Sequence, residues 1–306
     1  MQIYLAGITN TGMRPGQTGY GHLTEREKQA YREVPHNLES WHYTNKQRSV
    51  DILRRNGLKV FLDSGAFSAH TLGVELSVVD YVDYIKRNHD IIRVEDGALM
   101  ASVLDGIGDP KKTWENQKAM EDLGVQPLPC FHFGEDERYL EWYVKQYDYI
   151  TLGGMVGRNG KALIAWLDRI WDNYLVDGSG RPKLKVHAFG ITSLRIMRRY
   201  PWYSVDSSSW VQFAAFGNVM MPNGDKVCVS TRSPSRHDEG RHFESYSKLE
   251  QAVLLEQMEH DGFEFSKLST IQQSRAAFNV NTFNDMNRNI EMFNCERREF
   301  MVQELF

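Results

Sequence analysis

The chain has 306 residues, of which 41% are hydrophobic and 25% are charged, as is ordinary for a globular protein with a sizeable core. Its formal net charge is -4, so no global positive field indicates binding of nucleic acid in the manner of a histone. An enzyme with a local basic groove is compatible with this balance. Aromatic residues reach 12%, and they could serve packing or base stacking.

The chain has three cysteines, Cys130, Cys228 and Cys295, which are far apart in sequence. This argues against a disulfide framework and favours a reducing compartment. No CxxC pair supports a structural zinc knuckle. The opening residues MQIYLAGITN lack the basic segment of a signal peptide, and no stretch approaches the roughly 20 apolar residues that span a bilayer. We expect a cytoplasmic protein with no membrane partner.

Short apolar runs that end in small or acidic residues recur along the chain. Their length and their β-branched or aromatic content are typical of strands buried on both faces. The predicted strands are 3–7, 59–64, 101–105, 126–132, 149–154, 185–192 and 203–208. Amphipathic spacing predicts helices between them at 78–88, 135–146 and 161–175, and Asp109-Pro110 predicts the start of a helix over 112–123.

Strands that alternate with helices imply parallel strands joined by crossover connections. Seven such strands in a chain of 306 residues favour an α/β fold of the (β/α)8 TIM-like barrel type. A Rossmann sheet is disfavoured, since no GxGxxG follows the first strand. We expect one catalytic domain over 1–306, with an irregular polar insertion at 217–246 and a helical C-terminal part at 247–306.

The stretch KVFLDSGAFSAH, residues 59–70, ends an apolar run on Asp63 beside Ser64, Gly65 and Ala66. Small residues let another molecule approach the backbone. Active-site groups of a barrel lie at the carboxyl ends of its strands, so the residues ending the other predicted strands are candidates too. They are Asp105, His132, Phe133, Gly153, Gly154, Met155, His187, Phe189, Gly190 and Asp206.

This set of side chains suits the cleavage of a bond at a sugar carbon. One carboxylate can attack the anomeric carbon, a second can move protons and a third can accept hydrogen bonds from the N–H edge of a purine. Each residue also has a structural interpretation: Asp63 as a helix N-cap, Asp105 as a turn residue, His132 and His187 as core histidines. Recurrence at one relative place on successive strands favours the functional interpretation.

Four short motifs follow one another between residues 59 and 210: DSGAFS at 63–68, GGMVG at 153–157, HAFGIT at 187–192 and VD at 205–206. In this order they resemble the DSGGFQ, GGLAVG and YLMGVG segments and the nucleophile strand of the tRNA-guanine transglycosylase superfamily. Members of that family exchange guanine for a 7-deazaguanine on a TIM barrel.

The resemblance implies that Asp206 is the nucleophile, that Asp63 is the general acid/base and that Asp105 holds the purine edge. His132 or Phe133 falls near the family's base-contacting glutamine, although neither is a glutamine. Phe189 would stack on the base. The implied substrate-binding residues are Ser64, Phe67, Asp105, His132, Phe133, Gly153, Gly154, Met155, Phe189 and Gly190.

The chain departs from the family's tRNA enzymes in two ways. Those enzymes bind zinc through CxCxxC and a histidine after the nucleophile, whereas this half of the chain has only Cys228, His237, His242 and Cys295, at a different spacing. We therefore expect no family-type zinc site and no cofactor. The chain is also short, and we expect no tRNA-binding extra domain.

In both respects the chain resembles the DNA-directed branch of the family, which is found in phages and in bacterial DNA-modification clusters. That branch places 7-deazaguanines, such as the 7-cyano form, in DNA, which shields phage DNA from restriction. The expected partners are DNA and a free 7-deazaguanine base.

A DNA-directed enzyme must also hold backbone phosphates. The candidates are Arg195, Arg198, Arg199, Arg232, Arg236 and Arg241, although RIMRRYPW could equally be a solvated helix face. A guanine inside a duplex must be flipped out or presented in a single strand. Trp202, Trp210 or Phe213 could fill the gap or stack.

Three alternatives stay open. The first is a tRNA-directed enzyme of the same family. The second is suggested by IYLAG at residues 3–7, which resembles the opening strand of nucleoside deoxyribosyltransferases. The third is a catalytically inactive barrel that only binds DNA.

Overall fold

The structure is a computed structural model that describes residues 1–234, 240 and 242–289. The described residues fall into two compact units. One contains residues 1–10 and 36–207, and the other contains residues 11–35 and the described part of 208–289. No helix in these ranges is both long and apolar enough to cross a membrane.

The described strands are named here in chain order. They are β1 (Gln2–Ala6), β2 (Asn37–Ser40), β3 (Val60–Asp63), β4 (Val94–Glu95), β5 (Ala98–Leu99), β6 (Cys130–His132), β7 (Tyr149–Gly153), β8 (Lys185–Ala188), β9 (Ser204–Ser207), β10 (Asn218–Met220) and β11 (Lys226–Cys228).

The described α-helices are numbered in the same way. They are α1 (Thr18–Gly21), α2 (Glu25–Arg32), α3 (Trp41–Thr44), α4 (Gln47–Arg55), α5 (Ala66–Thr71), α6 (Val78–Arg87), α7 (Pro110–Asp122), α8 (Glu137–Gln146), α9 (Gly160–Ile170), α10 (Leu194–Arg199), α11 (Ser209–Ala215), α12 (Lys248–His260), α13 (Phe265–Thr270) and α14 (Gln272–Arg288). A π-helical turn, Trp171–Leu175, continues α9.

The first unit is built on a curled seven-stranded parallel sheet in the order β3-β2-β1-β9-β8-β7-β6. All of its neighbouring strands pair in parallel. The predicted α/β class is therefore confirmed. Parallel strands end on one side of a sheet, so the residues that terminate β3, β6, β7, β8 and β9 share one edge.

Residues 100–103 bond to the outer strand β3 on one side and to Leu128, which precedes the outer strand β6, on the other. On one side, the Leu62 amide donates to the Met100 carbonyl at 2.8 Å, and the Ser102 amide donates to Leu62 at 2.9 Å. On the other side, the Val103 amide donates to Leu128 at 3.0 Å, just before β6. The predicted strand 101–105 is thus a run of isolated parallel bridges.

Side chains of the sheet form two apolar layers, because successive residues of a strand point to opposite faces. One face carries a buried cluster of Tyr4, Leu38, Phe61, Met100, Leu128 and Tyr149. The other packs on helices, and its cluster includes Val60, Leu62, Tyr81, Val82 and Ile85. Burial of each large apolar side chain contributes about 1.5–3 kcal/mol.

Local signals explain where the predicted helices begin. The Asp109 side chain accepts a hydrogen bond from the Lys112 amide at 3.0 Å, and Pro110 occupies the first turn of α7. Ser77 caps α6 through the Asp80 amide, and Asp136 caps α8 through the Arg138 amide.

Two features of the chain differ from the sequence prediction. Strand β2 has the sequence NLES, and its polar Asn37 and Glu39 gave no apolar signal although both are buried. The segment 217–246, predicted to be irregular, contains an antiparallel hairpin of β10 and β11.

The second unit is organised around α14. Of its buried polar residues, Asn279 donates to the Trp210 carbonyl at 2.9 Å and accepts from the Met220 amide at 2.7 Å. Asn284 donates to the Ala30 carbonyl of α2 at 2.7 Å. Buried amide side chains that are paired in this way select one packing arrangement.

Candidate active site

Three aspartates converge at the carboxyl ends of the first unit's strands. Asp63 ends β3, Asp206 lies within β9, and Asp105 follows the bridging segment 100–103. Asp105 and Asp206 are close enough for their negative charges to raise the pKa of Asp63. We call these three residues the carboxyl-end cluster.

Asp63 is held in an unusual environment. Part of the residue is exposed, yet the surrounding protein removes its carboxyl group from water, and this desolvation is the largest cause that raises its pKa from 3.8 to about 7. The charges of Asp105 and Asp206 add to the shift. Asp63 Oδ2 accepts a hydrogen bond from the Gly65 amide at 3.0 Å, which opposes the shift in part.

Gly65 is required by this turn for two reasons. Its φ of +76° belongs to the left-handed region. A Cβ placed on it would lie 2.3 Å from Ser40 Oγ and 2.5 Å from His42 Cβ. The glycine thus lets the turn after β3 lie against the end of β2.

Asp206 has different surroundings from Asp63. Its strand, β9, is separated from β3 by β2 and β1 in the sheet. Its Oδ1 accepts a hydrogen bond from the Gly190 amide at 2.8 Å and lies 3.4 Å from His187 Nε2. His187 is fully buried, and burial lowers its pKa, so the ring is neutral. His187 Nδ1 lies 2.7 Å from Ser204 Oγ, which in turn lies 2.8 Å from the Tyr149 hydroxyl.

Asp105 lies beside the residues that end β6. Its Oδ1 is 3.6 Å from His132 Nε2, and the same nitrogen is 3.5 Å from Cys130 Sγ. Glu135 holds the other side of the imidazole, since its Oε1 lies 3.0 Å from His132 Nδ1. His132 therefore contacts acidic groups on both ring nitrogens.

Aromatic rings form one wall near these carboxyl groups. The Phe189 ring centroid lies 4.6 Å from that of His187 and 5.8 Å from that of Phe61. Phe67, on α5 directly after the Asp63 turn, is 68% exposed. A flat ligand could contact an exposed ring of this kind.

The remaining predicted pocket residues are placed as follows. Ser64 and Met155 are buried, and the Ser64 amide donates to Ser102 Oγ at 3.0 Å. A Cβ at Gly153 would lie 2.8 Å from His132 Cδ2, so this glycine makes room for the imidazole. Gly154 and Gly190 have φ values of +68° and +70°.

Phe133 uses its ring for packing. Its centroid lies 5.1 Å from that of Trp166 on α9, and the Arg158 guanidinium carbon lies 5.0 Å from the Phe133 centroid. These contacts place Phe133 on the helix side of β6.

The predicted phosphate-binding arginines have different surroundings. Arg199 forms an ion pair with Asp168 at 2.8 Å, so its charge is already engaged. Arg195 is exposed, and it borders a surface groove that also includes Lys161 and Ser193. Arg198 lies on the same helix, α10. Arg232 is exposed in the second unit, while Arg236 and Arg241 lie outside the described residues.

The tryptophans considered for base stacking are not available for that role. Trp202 and Trp210 are both buried, and Trp202 Nε1 donates to the Ile196 carbonyl at 3.1 Å. Phe213 is only partly buried and has Lys226 Nζ 4.8 Å from its ring centroid.

Sequence reasoning missed two residues of this site. Cys130 was treated only as a thiol outside any disulfide framework, and Glu135 was placed in a helix, whereas His187 was among the candidates at the strand ends. The sequence could have predicted that the side chains of Cys130 and His132 lie close together, because residues two apart on a strand point to the same face.

The comparisons with known proteins add no assignment. No protein-family model matches the chain, and no curated protein matches it.

Proposed function

We propose that the first unit is a (β/α)8-type barrel whose carboxyl end exchanges purine bases on DNA. The barrel assignment is supported by residues 100–103, since this segment bonds to β3 at one edge of the seven-stranded sheet and to Leu128, just before β6, at the other. In this proposal the segment takes the place of the eighth strand, and the strand ends would surround one opening.

The observation that carries the functional proposal is that Asp206 is close enough to Asp63 for its charge to raise the pKa of Asp63. The two carboxyl groups differ in their hydrogen-bond partners. With a pKa of about 7, Asp63 can donate or accept a proton near neutral pH. Asp206 is oriented by the Gly190 amide and the neutral His187 ring, as a nucleophile must be.

The proposed reaction has two displacements at C1′ of a nucleotide. Asp206 attacks C1′ as the bond to N9 of guanine breaks, and Asp63 gives its proton to the departing base. The incoming 7-deazaguanine then loses its N9 proton to Asp63 and attacks C1′, and the bond to Asp206 breaks. The enzyme returns to its starting state, so no cofactor is consumed.

Other residues would hold the base during these steps. Asp105 would accept hydrogen bonds from the purine N–H edge, and Phe67 and Phe189 would contact its faces. The nucleotide must be unstacked from DNA to reach the aspartates. DNA and a free 7-deazaguanine, such as the 7-cyano form, are therefore the proposed partners.

The test is mass spectrometry of nucleosides after the protein has been incubated with DNA and candidate 7-deazaguanines. We expect the deazaguanine nucleoside to appear in DNA with the wild-type protein and to be absent with Asp206→Asn. A parallel reaction with tRNA distinguishes the tRNA-directed alternative. Absence of exchange in both nucleic acids would overturn the proposal.

A further inference from the structure

Three potential metal ligands lie together at the end of β6. They are Asp105 Oδ1, Cys130 Sγ and His132 Nε2, and these atoms all lie within 4.8 Å of one another. The imidazole nitrogen is 3.5 Å from the sulfur and 3.6 Å from the carboxylate oxygen. Cys130 is buried, and the Asp105 and His132 side chains are only 10% and 15% exposed.

The spacing of these atoms fits a tetrahedral metal ion. Bond lengths of about 2.3 Å to sulfur, 2.0 Å to nitrogen and 2.1 Å to oxygen, at tetrahedral angles, place ligand atoms roughly 3.4–3.6 Å apart. The two measured separations, 3.5 Å and 3.6 Å, agree with this geometry. Mixed sulfur, nitrogen and oxygen ligation is typical of Zn²⁺.

The imidazole is also oriented as a metal ligand should be. Glu135 Oε1 lies 3.0 Å from His132 Nδ1, and its Oε2 accepts the His132 backbone amide at 2.8 Å. A carboxylate that accepts the Nδ1 proton leaves the Nε2 lone pair directed at the other two ligands. Gly153 keeps the space for the ring, since a Cβ there would lie 3.1 Å from both Cys130 Sγ and His132 Nε2.

One of the three candidate ligand atoms lacks a hydrogen-bond partner among the described residues. Asp105 Oδ1 is buried and accepts no hydrogen bond from any residue that the structure describes. Desolvating a carboxylate oxygen without a hydrogen bond is costly, and a bound cation would remove that cost.

We propose that Asp105, Cys130 and His132 bind one Zn²⁺ ion, with Glu135 positioning the histidine. Three protein ligands leave a fourth position for water or for a heteroatom of a ligand. The site goes beyond the proposed base exchange and does not rest on it. It uses Oδ1 of Asp105 and leaves Oδ2 for a purine edge.

Cobalt substitution tests the site without an activity assay. The chelator-treated protein is titrated with Co²⁺, and we expect a thiolate-to-cobalt charge-transfer band that saturates at about one ion per chain and is displaced by Zn²⁺. Cys130→Ser should remove this band, and the matched control Cys228→Ser should retain it. Cys295 lies outside the described residues, so the titration is repeated with Cys295→Ser, which should also retain the band.

Two further measurements protect the test against a variant that fails to fold. Glu135→Gln keeps all three ligands and should weaken Co²⁺ binding roughly 10- to 100-fold. In the wild-type protein, Zn²⁺ should slow alkylation of Cys130, located by peptide mass spectrometry, and leave Cys228 unchanged. A folded wild-type protein without the cobalt band, or a Cys130→Ser protein that keeps it, would show a histidine–carboxylate ion-pair network and no metal site.

Discussion

Acidic residues at the two ends of the first unit's sheet have pKa values that are shifted in opposite directions. At the amino ends, Glu95 is surrounded by Gln2, Arg93, Lys185 and Tyr203. We call these five residues the amino-end cluster. The Glu95 carboxylate accepts hydrogen bonds from Gln2 at 2.5 Å and from the Tyr203 hydroxyl at 2.8 Å. Burial alone would raise its pKa, but these bonds and the charges of Arg93 and Lys185 lower it.

The carboxyl-end cluster has different partners. Among the residues that the structure describes, no lysine or arginine forms an ion pair with Asp63, Asp105 or Asp206, and these carboxyl groups contact backbone amides and histidine rings. The pKa of Asp63 rises to about 7, so its ionised form costs stability, and groups with such shifts are frequent at functional sites.

The largest expected effect is on base-exchange activity, which should differ between variants in the carboxyl-end and amino-end clusters. Asp206→Asn should lower base exchange by at least about 10³-fold, because the amide cannot form the covalent intermediate. Glu95→Gln is the matched control at the amino ends and should keep near wild-type exchange once it is folded. Incorporation of labelled guanine into DNA measures both, and equal losses in the two variants would remove the proposed distinction.

The second prediction concerns pH and stability. Asp63 ionises near 3.8 when unfolded and near 7 when folded, so its ionisation favours unfolding as the pH rises through this window. At about 1.4 kcal/mol per pKa unit, the penalty above the folded pKa is at most about 4 kcal/mol. Asp63→Asn should therefore stabilise the protein more at about pH 8 than at about pH 5.

Urea unfolding at the two pH values measures this difference. Glu95→Gln serves again as the control. Its lowered pKa means that the stability from Glu95 is present above its unfolded pKa and is lost only as the pH falls through the folded value. Its effect should be nearly equal at both pH values, and a pH-independent effect of Asp63→Asn would contradict the raised pKa.

The third prediction tests the amino-end cluster directly. Glu95→Ala leaves Gln2 and Tyr203 without their acceptor and Arg93 without its nearby carboxylate, which lies 3.5 Å away. The free energy of unfolding should fall by about 1–3 kcal/mol. Thermal and urea unfolding give the value, and an unchanged stability would show that the cluster is not structurally important.

The smallest expected effect is at Phe67. This ring is 68% exposed, so Phe67→Ala should change the free energy of unfolding by less than about 0.5 kcal/mol. Loss of a stacking contact should weaken base binding by about 1–3 kcal/mol, mainly as a higher KM for the incoming base. An unchanged KM would place the base away from Phe67.

The sequence was most informative where a strand ends on an acidic residue. The apolar runs before Asp63 and Asp206 predicted that both carboxyl groups lie at the same edge, and in the structure the charge of Asp206 raises the pKa of Asp63. Helices α6, α8 and α9 were also predicted from their apolar spacing, and α7 was predicted from the Asp109-Pro110 signal at its start.

Other features depend on contacts between distant parts of the chain. Strand β2 was missed because Leu38 is the only apolar residue in its sequence NLES. Glu39 is nevertheless fully buried, and its Oε1 accepts a hydrogen bond from the Thr9 amide at 2.7 Å. The surroundings of His187 depend on Ser204 and Asp206, which arrive from the next strand. A local sequence pattern cannot predict such contacts between residues that are distant in the chain.

The discontinuous second unit has a consequence for synthesis on the ribosome. Helix α2 emerges early, but Asn284, which bonds to its Ala30 carbonyl, is 254 residues further along the chain. At about 5–20 residues per second, this partner is made roughly 10–50 s later. The Ala30 carbonyl of α2 therefore lacks this partner until α14 has been synthesised.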